Sequence, residues 1–218
     1  MESDKEILEK VYEKGAVWTE PEPPKELIEL IDNKDNSKKI KPCKALDVGC
    51  GEGFYSIYLA KKGFEVTGID ISENAINLAK QNAIKHEIKI NFIALDVADL
   101  SKINNKFDFV FEWALLHHII PEQRQEYVKN IKRILNKGGK YLSICFNSQN
   151  PDFGAKGETL RIIPEGSAMP AGTKLYYSSF EEIKQLFEPY FKIIESKLIQ
   201  ITTGNKPHIV NYFFMENL

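Results

Sequence analysis

The densest chemistry in this sequence is a short loop, Asp47-Val48-Gly49-Cys50-Gly51-Glu52-Gly53, lying between an apolar run and an amphipathic one. Glycines at alternate positions let a backbone turn tightly and leave no side chain between it and a ligand. Free N–H groups at the start of the following helix attract negative groups. Asp70 closes the next apolar run, 21 residues after Gly49, where a carboxylate can accept from both hydroxyls of a ribose. Each such charge-assisted bond contributes about 1.5–3 kcal/mol. Asp96 closes the third run on the same rim. Two plainer roles stay open, Asp70 as an acid favoured by the dipole of the next helix and Asp96 as a loop or cap acid.

The elements that must position these residues follow from periodicity. Residues 1 to 31 read as helical, interrupted by Thr19 to Pro24, with Pro24 placed to open a second helix. A lysine-rich stretch, 33 to 44, reads as a solvated linker. Short apolar runs then alternate with amphipathic ones: strand 45–49, helix 54–63, strand 64–70, a helix capped by Ser72, strand 88–96 and a strand within 107–116. A helix over 121–136 and a strand over 139–146 complete the alternation. Five strands connected this way imply right-handed crossovers and a parallel sheet covered on both faces. Residues 147 to 177 hold four glycines and three prolines with little periodicity, long for a loop in a compact domain. Two overlapping Ser-x-x-Glu boxes then start a helix over 178–187, and two strand-like runs joined at Thr203 to Lys206 close the chain as a hairpin.

A nicotinamide site of the G-x-G-x-x-G/A type needs Gly or Ala where Phe54 stands, and usually an apolar residue where Asp47 stands. An acid there suits a ligand with a cationic amino group. The D-V-G-C-G-E-G loop with Asp70 and Asp96 resembles the signature of class I S-adenosylmethionine-dependent methyltransferases. The likeness runs from about 44 to 216 and includes FDFVFEWALLHH, LNKGGKYLSI and the closing hairpin. It implies an α/β, three-layer Rossmann-like sheet of seven strands in the order 3-2-1-4-5-7-6, with strand 7 antiparallel. One domain then spans 1–218, with 1–43 as a helical cover and linker and 147–177 as an insertion over the active site. The cofactor implied is S-adenosylmethionine, leaving as S-adenosylhomocysteine. Carried over by position, Asp47 contacts its methionine end, and Gly49, Gly51 and Gly53 let the loop pass beneath it. Asp70 holds the ribose with Ile71 against the adenine. Asp96 and Val97 meet the adenine, and the backbone around Glu112 and Trp113 faces the sulfonium.

The resemblance implies an in-line methyl transfer, for which the protein must chiefly align a nucleophile and exclude water. His117 and His118 follow the fourth strand; His118 is the candidate base, and a cofactor-lining role for both is the alternative. Tyr12 and Trp18 can close over the cofactor, since aromatic faces attract a sulfonium, or can simply anchor the first helix. The VWTEPEPPKEL stretch loosely resembles the N-terminal cover of thiopurine-, thiol- and tellurite-type enzymes. Arg161, the lone arginine of the insertion, is a candidate for an anionic substrate or for a salt bridge, and Tyr176 for the same cleft. His86 and His208 lie on distant elements and no metal-ligand spacing is completed, so no metal is expected. Cys50 reads as a small packed residue.

Composition narrows the acceptor. Twenty-nine Lys and Arg against 31 Asp and Glu give a net charge of −2, which argues against a nucleic-acid partner bound through a strongly basic field. No apolar run reaches the roughly 20 residues of a membrane span. The first fourteen residues do not read as a signal peptide, and three cysteines fit a reducing compartment, hence an expected cytoplasmic location. A small-molecule acceptor is the leading expectation. An RNA or protein methyltransferase, supported by the lysine-rich segment, and a catalytically silent binding partner are the alternatives. Oligomeric state leaves no trace in the sequence.

Overall fold

The computed structural model describes residues 3–16, 21–32, 39–167, 169–203 and 206–218. Trp18, the first half of the lysine-rich stretch (33–38) and the centre of the closing hairpin lie outside the described residues. The element order is α1 (Asp4–Lys14), α2 (Lys25–Asp32), β1 (Lys44–Val48), α3 (Phe54–Lys61), β2 (Glu65–Asp70), α4 (Glu73–Lys85), β3 (Asn91–Ala94) and β4 (Phe107–Trp113). There follow α5 (Pro121–Ile134), β5 (Leu135–Phe146), β6 (Leu160–Ile162), β7 (Lys174–Tyr176), α6 (Phe180–Phe187), β8 (Phe191–Thr203) and β9 (Lys206–Asn217).

Seven strands form one sheet in the order β3-β2-β1-β4-β5-β9-β8, with β9 antiparallel to both neighbours. With the small β6–β7 ribbon left out of the numbering, this is the expected order. Alternation along each strand splits the core between two faces. Val110, Phe213 and Met215 meet Val128 and Ile131 of α5 and Phe187 of α6 on one side. Phe109, Phe111 and Phe214 meet Leu27 and Leu30 of α2 and Leu59 of α3 on the other. Each such fully buried side chain contributes about 1.5–3 kcal/mol relative to exposure.

Local signals place the helices. Ser72 Oγ accepts from Ala75 N–H at 3.1 Å and starts α4. Of the two overlapping boxes before α6, Ser179 with Glu182 is the one used; the Ser178 hydroxyl accepts from Arg124 at 2.6 Å instead. Three boundaries differ from expectation. β3 is confined to Asn91–Ala94. α5 stops at Ile134 because Leu135 turns to extended backbone and already pairs with Phe107, so β5 begins before Gly139. Asn217 secures that junction, its amide donating to the carbonyls of Lys132, Leu135 and Asn136. The insertion carries the β6–β7 ribbon, whose three-residue strands are too short to leave a period. Among the described residues no helix is long and apolar enough to cross a membrane.

Candidate functional site

The parallel strands direct their carboxyl ends at one cavity of about 570 Å³. Its floor is the loop after β1, and Gly51 shows why a side chain is excluded there. Its φ is +51°, and a Cβ would sit 3.0 Å from the Tyr12 hydroxyl, which α1 lays across the loop. Asp47 is 3% exposed on the cavity wall and accepts from Ser56 Oγ at 2.6 Å. Burial, with the Asp70 charge adding to it, pushes its carboxyl up to about 7. Asp70 accepts from the N–H groups of Gly51 and Ser72, both at 2.9 Å, and burial raises its pKa as well. Asp70 thus joins the glycine loop to the start of α4 while lining the cavity. Ile71, Asp96 and Val97 line the same end. Asp96 also caps the short 3-10 helix Val97–Lys102 by accepting from Ala98 N–H at 2.9 Å.

The opposite wall follows β4. Trp113, Ala114 and Leu115 line the cavity, and Ala114 has a φ of +59°, rarely adopted by residues with a side chain. Glu112 holds this turn from behind. Wholly buried, it accepts from Leu115 N–H at 3.0 Å, Leu116 N–H at 3.2 Å and the Ser143 hydroxyl. Burial pushes its carboxyl up to about 7. Its side chain does not line the cavity, so its part is to fix the backbone that does.

His117 and His118 line the cavity. Burial pulls His118 down to about 4, and among the described residues its side chain makes no hydrogen bond or ion pair, its ring lying beside that of His117 with centroids 4.6 Å apart, so no described group orients it as a base. The insertion supplies Phe153, Met169, Thr173 and Leu175 to the wall. Two expectations about the insertion are corrected. Arg161 is wholly buried, donates to the carbonyls of Ser148 and Asn150 at 3.0 and 3.1 Å, and lies over the Tyr177 ring, away from the cavity. Tyr176 also misses the wall: Thr173, just before β7, and Leu175 within it line the cavity, and alternation turns Tyr176 aside.

A family model described as a methyltransferase domain matches residues 45–139. A ubiquinone biosynthesis O-methyltransferase of Coxiella burnetii is 36% identical over 176 residues, covering 75% of this chain and 73% of that protein. The chain belongs to the class I S-adenosylmethionine-dependent methyltransferases. The methyltransferase is also 33% identical over 114 residues to a probable S-adenosyl-L-methionine-dependent methyltransferase, TehB of Haemophilus influenzae, covering 52% of this chain and 40% of that protein. The solved TehB structure gives a TM-score of 0.68 at 21% identity, over 90% of this chain and 63% of that one. The magnesium protoporphyrin IX methyltransferase of Synechocystis PCC 6803 shares the fold, with a TM-score of 0.71 at 16% identity over 99% of this chain and all of that one.

The site fits S-adenosylmethionine, the methyltransferase's donor, on its own chemistry. A glycine floor, two buried carboxylates and a third at the rim match a ligand with an ammonium group, a ribose diol and an exocyclic amine. When bound, that ligand supplies an electrophilic methyl group on a positively charged sulfur.

One residue of the methyltransferase had no sequence signal. Glu9 of α1 accepts from Ser72 Oγ at 2.9 Å and from the N–H groups of Glu73 and Asn74 at 2.7 and 3.0 Å. Desolvation would raise its pKa, but these donors outweigh it and hold the carboxyl below its ordinary value. A carboxylate at a helix start contributes about 1 kcal/mol. Glu9→Ala is therefore expected to lower the unfolding free energy by that amount, read as a lower urea midpoint at unchanged slope, and to speed amide exchange in α1; unchanged exchange would show that α1 is held by other contacts.

Proposed function

We propose that this methyltransferase carries a methyl group in line to the hydroxyl of a small aromatic acceptor. The observation that carries the proposal is the acceptor end of the cavity. Trp113, Phe146, Phe153, Met169 and Leu175 make it apolar and aromatic, and it sits under the insertion rather than along an open groove. The name of the Coxiella relative, an O-methyltransferase of ubiquinone biosynthesis, supports the choice of nucleophile.

In this proposal Asp47 binds the ammonium of the donor, Asp70 the ribose hydroxyls and Asp96 the adenine amine, with Ile71 and Val97 flanking the ring. The backbone of Trp113 to Leu115, set by Glu112, faces the reacting carbon. Tyr12 and the rest of α1 cover the donor and exclude water. The chain acts as one domain with two covers, in the cytoplasm, without a nucleic-acid partner.

Titration calorimetry with S-adenosylmethionine is expected to show binding that Asp70→Ala weakens more than tenfold, since the ribose bonds go and Gly51 and Ser72 N–H lose their acceptor. Unchanged affinity in that variant would move the ribose elsewhere. An S-adenosylhomocysteine release assay against phenols, thiols, amines and RNA tests the acceptor: turnover with phenols is expected, and turnover with RNA alone would overturn the proposal.

A further inference from the structure

His117 sits where the acceptor end of the cavity meets the insertion, and only 3% of it is exposed. Its ring lies flat against Phe146, with centroids 4.4 Å apart and 19° between planes, and meets the edge of Tyr177 at 5.9 Å. Its Nδ1 is fully buried and has no hydrogen-bond partner among the described residues. The charged groups packed around it come from several elements. Arg124 of α5 donates to the Ile119 and Tyr176 carbonyls and to Ser178. Glu112 of β4 turns its carboxylate to the Leu115 and Leu116 N–H groups and Ser143. His208 of β9 pairs with Asp152 at 2.6 Å. His118 stands beside it. Among the described residues no carboxylate is therefore turned to His117, which stays neutral, its pKa pushed well below the ordinary value chiefly by burial.

A neutral imidazole has one N–H and one lone pair. Burying an unpartnered N–H is the rarer and costlier choice, so the lone pair belongs on Nδ1 and the proton on Nε2. A hydrogen-bond donor there works against the desolvation that an apolar pocket imposes on an acid, because hydrogen bonds to an ionised oxygen are about twice as strong as those to a neutral one.

Building on the aromatic hydroxyl acceptor, we propose that His117 donates from Nε2–H to the acceptor oxygen, so that the acceptor binds and reacts as its oxyanion. The oxygen lone pair forms the new O–C bond while the C–S bond breaks and its electrons stay on sulfur. The oxyanion and sulfonium charges cancel, and the acceptor proton has already passed to solvent. No protein base takes part, which agrees with the absence of an oriented base at His118.

Two measurements test this. Long-range proton–nitrogen NMR on the labelled wild-type protein is expected to show His117 with a pyridine-like Nδ1 and a pyrrole-like Nε2, unchanged from pH 5.5 to 8.5; the opposite tautomer or an imidazolium in that range would overturn the proposal. With S-adenosylhomocysteine bound, 4-nitrophenol followed by its phenolate absorbance is expected to titrate about one pH unit lower in the site than in water. His117→Phe, which keeps the stacking, is expected to abolish that shift, and His117→Gln, which keeps a donor, to restore most of it. A shift that survives in His117→Phe would overturn the role of His117. The cofactor titration above reports on the methyltransferase site separately, because neither variant is expected to change S-adenosylhomocysteine affinity by more than about twofold.

Discussion

Affinity for S-adenosylmethionine is expected to fall with pH below 7, steepening toward tenfold per unit and amounting to about 25-fold between pH 7.5 and 5.5. The cause is Asp47, whose carboxyl is raised to about 7 in the free protein by burial and by the nearby Asp70 charge. Pairing with an ammonium requires the carboxylate, so below pH 7 the proton must first be expelled, costing about 1.4 kcal/mol per unit. The sign is that of a group whose pKa is high in the free protein and falls on binding: the complex gains with rising pH and levels off above 7. Calorimetry at several pH values, and in buffers of different ionisation enthalpy to count the released proton, measures this directly. Asp47→Asn is expected to flatten the dependence and weaken binding at pH 8; a slope that persists in this variant would assign the titration to another group. The unfolding midpoint is a poorer readout. Glu112 and Asp70 are raised as Asp47 is, while His117 and His118 are lowered, so their contributions oppose one another over the same range.

Gly53→Ala is expected to destabilise the protein by about 2–5 kcal/mol and to reduce donor binding with it. Two costs add. Gly53 has a φ of +79°, which costs an L-residue about 1–2 kcal/mol. A Cβ would also lie 2.8 Å from the Phe92 ring and 2.9 Å from the Ala79 methyl, inside the packing of α3, α4 and β3, and overfilling such a core costs about 1–3 kcal/mol more. Gly138→Ala is the control. Gly138 has a comparable φ of +76° with nothing within 4 Å of its Cβ position, so only the backbone cost applies. Urea unfolding of the two variants separates the terms; equal midpoints would mean that Phe92 and Ala79 yield without cost.

What the sequence made legible was local. The glycine loop, Asp47 and Asp70 stand at strand ends, where adjacent periodicity places them, and Ser72 and Ser179 cap helices a few residues away. The sheet order came with the resemblance, not from periodicity. What escaped depends on partners remote in the chain or without a side-chain signature. Glu9 meets residues 63 to 65 positions away, and no pattern within α1 announces that contact. Arg161 reads as a cation for an anionic substrate or for a salt bridge; it lies 3.9 Å from the Glu158 carboxylate, but its hydrogen bonds go to backbone carbonyls, which any residue can supply. The backbone around Glu112 is expected at the pocket; that strand alternation sends its carboxylate behind the wall, to hold the turn, has no signature in the sequence.

The two ends of the cavity are roofed by stretches of chain that share no residue. Ser3, Lys5, Leu8 and Tyr12 of the first helical segment line the end proposed for the donor, and Phe153, Met169, Thr173 and Leu175 of the insertion line the end proposed for the acceptor. On the proposed assignment of the two ends, donor chemistry and acceptor choice are separable modules in the primary structure. A lineage, or a designer, can rewrite residues 147–177 and change what is methylated while Asp47, Asp70 and the glycine loop stay as they are.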